Sequence, residues 1–228
     1  MKSEFDDYAA SYDTALNQGL SLSGEPKEYF AQERVRWLAG RLAILGVRSP
    51  RVLDYGCGTG STSPELLGRL GAQTVVGVDT SRDSLDIARR THVDPRLRFS
   101  TMIELAPSGQ FDVAYCNGVF HHVDPGERLD TLAYIHRSLA EGGVFGFWEN
   151  NPWNPGTRLV MQRIPFDRDA KLISPPRARE LLTSAGFDVL GTDFLFLFPR
   201  FLSALRPLEA RLARLPAGAQ YMVLARKT

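Results

Sequence analysis

The chain has 228 residues, of which 43% are hydrophobic, so it holds enough apolar material for one domain with a sizeable core. A formal net charge of +1 with dispersed basic residues excludes an evident nucleic-acid partner, and two cysteines, Cys57 and Cys116, provide neither a disulfide framework nor a metal-binding spacing. The chain starts without the apolar core of a signal peptide and has no stretch apolar enough to span a bilayer, so we expect a cytoplasmic protein without stable membrane insertion.

The first two predicted elements are helices. Phe5, Tyr8 and Tyr12 are spaced by three and four residues, which is typical of one helix face. From Pro26 to Gly46 the apolar residues again fall roughly at helical spacing. Arg34 lies on this second helix, where an exposed side chain is the expectation and a contact with the carboxylate of a bound ligand is the alternative.

A glycine-rich turn follows the first predicted strand. The strand ends at Asp54, and the turn has glycine at three alternate positions, Gly56, Gly58 and Gly60, before a helix begins. Glycine permits a positive φ and the close approach of a ligand, and a helix N-terminus favours an anionic group. The pattern therefore predicts a ligand site, with an ordinary βα turn that needs glycine as the alternative.

The next predicted strand lies in the segment 75–81 and ends at a second acidic residue, Asp79. An acidic residue at the end of the second strand of a βαβ unit typically accepts hydrogen bonds from ribose hydroxyls. We therefore expect a nucleoside across the two strand ends. A nicotinamide cofactor would favour a third glycine where Ser61 stands, so a nicotinamide-dependent oxidoreductase is the less favoured alternative.

The stretch 52–60 resembles the first motif of class I S-adenosylmethionine-dependent methyltransferases, and Asp79 falls where that superfamily has its ribose-binding acid. Segments 111–123 and 139–152 resemble its fourth and fifth strands. The resemblance implies an α/β, Rossmann-like, seven-stranded sheet in the order 3-2-1-4-5-7-6, with the last strand antiparallel and helices on both faces. It further implies one domain over 1–228, divided into an N-terminal helical lid (1–46), a cofactor-binding half (51–149) and an acceptor-binding half (150–228).

The resemblance also implies a cofactor, S-adenosyl-L-methionine, which leaves as S-adenosyl-L-homocysteine. Asp54 would orient the methionine portion, through water or its ammonium group, and Asp79 would hold the ribose. The acid that often contacts adenine in the family falls at Thr101, a departure that leaves backbone groups and Met102 for this role. The expected cofactor-binding residues are Tyr12, Asp54, Gly56, Cys57, Gly58, Asp79, Thr80, Thr101, Met102, Ile103, Asn117 and Gly118.

The segment after the fourth predicted strand carries the candidate catalytic residues, His121 and His122. Ligands of open α/β sheets bind at the carboxyl ends of the strands, and imidazole changes charge near neutral pH, so either histidine is a candidate general base. Local packing is the alternative role. No cluster of carboxylates follows this strand, so we expect no metal site.

The segment after the fifth strand is rich in amides and proline, which suits either an acceptor pocket or a rigid turn. The expected acceptor-binding residues are Glu149, Asn150, Asn151 and Trp153. Farther on, the apolar run 194–198 predicts a buried strand, or alternatively an apolar acceptor pocket, and the leucines in 200–215 predict a helix that covers the core.

The resemblance extends to small bacterial methyltransferases of quinone biosynthesis. Together with the aromatic-rich segments, it implies methyl transfer to a small, apolar or aromatic metabolite, with O-methylation favoured and N- or C-methylation open. A protein that binds the cofactor without transferring the methyl group, as an interaction partner or a repurposed catalyst, is the remaining alternative.

Overall fold

The computed structural model describes residues 19–167 and 170–228, so Phe5, Tyr8 and Tyr12 lie outside the described residues. The strands are β1 (Arg51–Tyr55), β2 (Thr74–Asp79), β3 (Leu97–Thr101), β4 (Phe111–Asn117), β5 (Leu139–Asn150), β6 (Phe187–Leu195) and β7 (Gln220–Lys227). The α-helices are α1 (Lys27–Ile44), α2 (Ser63–Arg69), α3 (Arg82–Thr91), α4 (Arg128–Ser138), α5 (Pro155–Met161), α6 (Pro175–Ser184) and α7 (Glu209–Leu212). Short 3-10 helices cover Ser21–Ser23, Pro165–Asp167 and Arg200–Leu208.

The seven strands form one sheet in the order β3-β2-β1-β4-β5-β7-β6, which confirms the predicted topology. β7 pairs antiparallel with β5 and β6, whereas the other neighbours pair in parallel. The strand order reverses between β1 and β4. In open parallel sheets this switch point opens a crevice at the carboxyl ends of the two strands, and ligands bind there.

The strands are apolar on both faces because helices cover both sides of the sheet. Neighbouring residues alternate between two buried clusters: Val52 and Trp148 belong to one, and Leu53 and Phe147 to the other. Helices α1, α2 and α3 contribute to the first cluster, and α4 and α6 to the second. None of the helices that the structure describes is long and apolar enough to cross a membrane.

Helix α1, which belongs to the segment 1–46 predicted as a lid, packs in the core over residues 27–44. Val35 and Leu38 are fully buried against the sheet, and a Cβ on Gly146 of β5 would lie 3.2 Å from the Leu38 side chain. Asp193 of β6 is also buried and accepts a hydrogen bond from Trp37 Nε1 at 2.9 Å. Burial of this apolar face fixes the helix in place.

The C-terminal apolar run divides between a strand and a loop. β6 ends at Leu195, and Phe196 takes a left-handed φ of 64°, which turns the chain out of the sheet. The single covering helix predicted for 200–215 is wrong: it is replaced by the 3-10 helix Arg200–Leu208, which includes Pro207 and has no buried residue, and by the four-residue α7.

We expect Asp193→Ala to lower the free energy of unfolding by about 1–3 kcal/mol, because it leaves the half-buried indole N–H of Trp37 without its acceptor. It also removes the ion pair with Arg41 Nε at 3.1 Å. Urea denaturation measures the change. Asp86→Ala is the matched control, because its pair with Arg89 is exposed and should contribute less than about 0.5 kcal/mol. Equal losses in the two variants would contradict the role assigned to Asp193.

Candidate functional site

The glycine turn after β1 needs glycine at Gly56 and Gly58 for two different reasons. Gly56 has a φ of 70°, and a Cβ there would lie 2.3 Å from Val119 Cγ2, so packing excludes any larger residue. Gly58 has a φ of 53°, but a Cβ there would meet no atom within 4 Å. The backbone N–H groups of Gly56 and Cys57 donate to Val78 O at 2.8 and 3.1 Å. The turn is therefore anchored to β2 on one side and open on the other.

Asp79 ties the end of β2 to the same turn. Its Oδ2 accepts a hydrogen bond from the Gly58 N–H at 2.8 Å, and its Oδ1 accepts one from the Ser81 N–H at 2.9 Å. A carboxylate oxygen accepts more than one hydrogen bond, so these contacts are compatible with a ligand hydroxyl as a further donor. The following residue, Thr80, is exposed.

Asp54 lies at the bottom of the turn and is only 2% exposed. Its Oδ2 accepts a hydrogen bond from Ser63 Oγ at 2.7 Å. Burial raises the pKa of this carboxyl to about 7, although the Ser63 hydrogen bond opposes the shift. Asp54 therefore changes its protonation state close to neutral pH.

A small cavity, which we call the turn cavity, lies over Gly56, Cys57 and Gly58 and reaches Asp54. Asn117, at the end of β4, forms part of its wall. The Asn117 side-chain oxygen is buried and accepts no hydrogen bond from the described residues. Buried polar atoms in proteins are almost always satisfied, so this oxygen indicates a position where a ligand donates a hydrogen bond.

Arg34 of α1 is buried, which corrects the expectation of an exposed side chain. Its Nε donates to Tyr115 Oη at 3.0 Å, and its Nη1 donates to Gln220 Oε1 at 2.9 Å. The residue lines both the turn cavity and a second, larger cavity. Arg34 is buried because the packing of α1 directs this face of the helix toward the sheet.

The large cavity has a volume of about 470 Å³ and a mainly apolar wall. Its aromatic and aliphatic side chains come from α1, from the segment after α5 and from the loop after β6, and include Tyr29, Phe30, Ile164, Phe166, Phe196 and Phe198. It adjoins the turn cavity, because Lys27, Arg34 and Asn117 line both. The apolar run after β6 therefore supplies both the end of a strand and part of a pocket.

Four polar side chains form what we call the histidine cluster: His121, His122, Glu149 and Asp167. His121 Nδ1 lies 2.6 Å from Glu149 Oε2, and His121 Nε2 lies 3.5 Å from Asp167 Oδ1. His122 Nε2 lies 3.1 Å from the same Asp167 oxygen. Glu149 Oε1 accepts a hydrogen bond from the Phe120 N–H at 2.8 Å. The two predicted catalytic histidines therefore share one carboxylate.

The electrostatics of the cluster follow from its burial. Burial by itself lowers the pKa of His121, but the negative charge of Glu149 and the Asp167 carboxylate outweigh it and raise the pKa to about 10. Burial acts to raise the pKa of Asp167, but the hydrogen bonds to His121 and His122 outweigh it, so the pKa of Asp167 is lowered. With both ring nitrogens engaged, His121 is not placed as a free base.

The structure separates the four residues expected to bind the acceptor. Asn150 lines the large cavity, together with His121, His122 and Gly118. Glu149 is fully buried behind His121, and Asn151 is fully buried with its amide donating to Gly218 O at 2.8 Å. Trp153 is 50% exposed and is not part of the cavity wall. Among these four residues, Asn150 alone lines the large cavity in the described part of the chain, whereas Glu149 and Asn151 hold neighbouring groups and Trp153 faces solvent.

At the end of β3, the family's acidic residue near adenine is replaced by Thr101, but another acidic side chain lies close by. Thr101 donates its backbone N–H to Glu104 Oε2 at 3.0 Å, so an acidic side chain is present three positions after the expected one. Met102 is half-buried against the core, and Ile103 is 92% exposed.

Sequence reasoning missed Asp167 and misjudged the burial of Arg34. Asp167 lies in a short 3-10 helix far along the chain from the histidines, and no local pattern marks it.

A model of the methyltransferase domain family matches residues 52–143. The trans-aconitate 2-methyltransferase of Rhodopseudomonas palustris (strain BisA53) is 30% identical over 198 residues, which cover 83% of this chain and 70% of that protein. The ubiquinone biosynthesis O-methyltransferase of Psychrobacter arcticus is 29% identical over 184 residues, covering 71% of this chain and 69% of that protein.

Solved structures share the fold. The S-adenosylmethionine-dependent methyltransferase of Mesorhizobium loti superposes with a TM-score of 0.62 at 22% identity, over 85% of this chain and 98% of the other. The geranyl diphosphate C-methyltransferase of Streptomyces coelicolor, solved with S-adenosyl-L-homocysteine, gives 0.60 at 17% identity, over 84% and 75%. The sheet order, the match over 52–143 and the relatives all indicate the same family. The chain belongs to the class I S-adenosylmethionine-dependent methyltransferases and is an enzyme that uses this cofactor.

Proposed function

We propose that the enzyme transfers the methyl group of S-adenosylmethionine to an oxygen atom of a small, apolar or aromatic metabolite. The observation that carries this proposal is the large cavity, with about 470 Å³ of space, an apolar wall and a common boundary with the turn cavity. Pockets for small molecules have this size, and they combine a mainly apolar surface with polar groups that orient the ligand. The acceptor would lie in the large cavity and the cofactor over the glycine turn.

In this arrangement Asp79 holds the ribose hydroxyls, and the open side of Gly58 leaves space for the methionine portion. Asp54 accepts a hydrogen bond from the ammonium group. The buried oxygen of Asn117, which has no partner among the described residues, accepts a further hydrogen bond from a ligand. Met102 offers an apolar surface to the adenine.

Methyl transfer to a hydroxyl is an in-line displacement. The acceptor oxygen forms a bond to the methyl carbon as the S–CH3 bond breaks, the electron pair stays on sulfur, and the hydroxyl proton leaves. The histidine cluster lines the large cavity together with Asn117, which also belongs to the turn cavity, and His122 lies beside Asp167 on the wall. We assign activation of the acceptor hydroxyl to this cluster, in which His121 is a positioning residue.

The cavity wall favours an aromatic hydroxyl over a small acid with several carboxylates. Burial of an unpaired carboxylate is expensive, and the wall has more apolar than polar surface. Its cations are already engaged: Arg34 donates to Tyr115 Oη and Gln220 Oε1, Arg206 Nη2 lies 2.9 Å from Glu25 Oε1, and Lys27 Nζ lies 3.9 Å from Glu28 Oε1. The name of the Psychrobacter relative describes an O-methyltransferase, which supports oxygen as the accepting atom. The name of the Rhodopseudomonas relatives instead indicates an acid as acceptor, which makes small acids the natural competitors in a test.

The test is an assay of S-adenosyl-L-homocysteine release with two matched panels, phenols and hydroquinones in one and aliphatic di- and tricarboxylates in the other. We expect turnover with the first panel and O-methylated products by mass spectrometry. Turnover confined to the acids would contradict the proposed acceptor class, and cofactor binding without any turnover would favour a member that does not transfer the methyl group.

We expect His122→Ala to lower kcat by about 10²-fold or more, because the acceptor hydroxyl then loses its activating group. Calorimetric titration with S-adenosyl-L-homocysteine should show unchanged affinity. His136→Ala is the control, because His136 lies in the last turn of α4, outside the histidine cluster, and packs on Phe187. If His122→Ala keeps full kcat, the cluster has no part in activation.

We expect Asp79→Ala to weaken S-adenosyl-L-homocysteine binding by about 1–3 kcal/mol, through the loss of hydrogen bonds to a ribose hydroxyl pair and to the Gly58 N–H. Calorimetry measures the change. Asp83→Ala, an exposed carboxylate in the first turn of α3, serves as the control and should bind normally. Unchanged affinity in Asp79→Ala would remove the ribose assignment.

The raised pKa of Asp54 predicts a pH dependence of cofactor binding. Below its pKa of about 7 the carboxyl is protonated and cannot pair with the ammonium group, so affinity should rise about five- to tenfold between about pH 6 and about pH 7.5. Asp54→Asn should remove this rise. The ammonium group titrates in both proteins, so the difference between them isolates Asp54. A flat profile for the unaltered enzyme would contradict the ammonium contact.

A further inference from the structure

We propose that His121, His122 and Asp167 bind a divalent transition-metal ion of the Zn²⁺ type in the wall of the large cavity. The sequence predicted no metal site, because the third ligand is separated from the histidines by 45 residues and three elements of structure. The inference rests on the proposed function only where it assigns the ion a role toward the acceptor. The binding site itself depends only on the positions of the three side chains.

The three ligand atoms have the spacing that a tetrahedral ion requires. Asp167 Oδ1 lies 3.1 Å from His122 Nε2 and 3.5 Å from His121 Nε2, and all three ligand atoms lie within 4.8 Å of one another. A Zn²⁺ ion with bonds of about 2.0–2.1 Å in tetrahedral geometry holds neighbouring ligand atoms about 3.3–3.4 Å apart. One ion therefore fits among them with small side-chain movements.

The other nitrogen of His121 is fixed in the way that metal-binding histidines usually are. Its Nδ1 lies 2.6 Å from Glu149 Oε2, and Glu149 is itself fully buried and held by the Phe120 N–H. A carboxylate on one ring nitrogen sets the tautomer and the ring orientation, and it makes the opposite nitrogen a stronger ligand. Glu149 therefore prepares His121 Nε2 for the ion.

The charge of the cluster is compatible with a bound cation. Glu149 and Asp167 place two carboxylates in a buried region, where they need positive charge close by. The buried guanidinium of Arg128 acts on Glu149 at longer range, but it donates its hydrogen bonds to Val123 O and Lys171 O. A divalent ion with two neutral imidazoles neutralises both carboxylates, which offsets the cost of burying them.

The ligand set and its position indicate the kind of metal and its role. Two imidazoles and one carboxylate favour Zn²⁺, Fe²⁺ or Co²⁺ over Mg²⁺, which prefers oxygen ligands. Three protein ligands leave a coordination position, and all three residues line the large cavity. An acceptor hydroxyl bound there loses its proton to water more readily, which leaves the oxygen as the nucleophile for the methyl group.

The first experiment uses the full chain without an affinity tag, since a polyhistidine tag would itself bind metal. After dialysis against a chelator and then metal-free buffer, Co²⁺ is titrated and the visible d–d absorption of a tetrahedral site is followed. We expect one Co²⁺ per chain, displaced by Zn²⁺ and not by equimolar Mg²⁺. The absence of this absorption in a protein that binds S-adenosyl-L-homocysteine normally would overturn the proposal and leave the cluster as a metal-free ion-pair network.

The variants decide which residues hold the ion. We expect His122→Ala and Asp167→Asn to abolish the cobalt spectrum, and Glu149→Gln to weaken Zn²⁺ binding about 10–100-fold. His136→Ala, the matched histidine outside the cluster, should bind one ion as before. Circular dichroism and S-adenosyl-L-homocysteine binding check that each variant folds. An unchanged spectrum in folded His122→Ala would place any bound metal elsewhere and overturn the assignment.

The metal and the proposed function fail in different ways. Methyl transfer that persists in a chelator, from an enzyme that binds no Co²⁺, overturns the metal site and leaves the methyltransferase assignment intact. Stoichiometric Co²⁺ binding that the cluster variants abolish supports the metal site, even where every aromatic acceptor fails in the turnover assay.

Discussion

The parallel pairing of β1 with β4 is the constraint on which the site depends. Tyr55 lies beside Cys116 at the ends of these strands, and from there the chain departs toward opposite faces of the sheet. The helices after β1 pack in one buried cluster and the helix after β4 in the other. The glycine turn and the segment that begins at Asn117 therefore flank one crevice, and both cavities are continuations of it.

How much of this could be predicted depends on how local the signal is. The glycine turn and Asp79 are readable because the chemistry lies within a few residues of a strand end, and the sheet order follows from the family that these motifs resemble. Arg34 was misjudged because only the packing of α1 decides which face is buried. Asp167 was missed because it becomes part of a site only through its contacts with His122 and His121, which are 45 and 46 residues away in the chain. The burial of Asn151 depends on backbone carbonyls near β7, which a pattern at β5 does not contain.

The buried polar groups of the site are stabilised unequally. Asp54 accepts one hydrogen bond from a hydroxyl within a buried turn. Its pKa is raised because this hydrogen bond does not fully offset the free-energy cost of burying the ionised carboxylate. Glu149 is held by a backbone N–H and by His121, so the removal of either partner would leave a charge in an apolar region. Such groups reduce the stability of the fold at the place where ligands provide the missing contacts, which is a common relation between function and stability.

Helix α1 belongs to the core along one part of its length and to the cavities along another. Val35, Leu38 and the indole of Trp37 fix it to the sheet, whereas Tyr29, Phe30 and Arg34 come from its first two turns. A wall carried by a helix that is already packed loses little conformational entropy when an acceptor enters. Exchange of the side chains of Tyr29 and Phe30 would reshape the pocket wall, whereas Arg34 also holds the buried Tyr115 hydroxyl. The acceptor range of related enzymes is then free to diverge through point substitutions on a scaffold that stays the same.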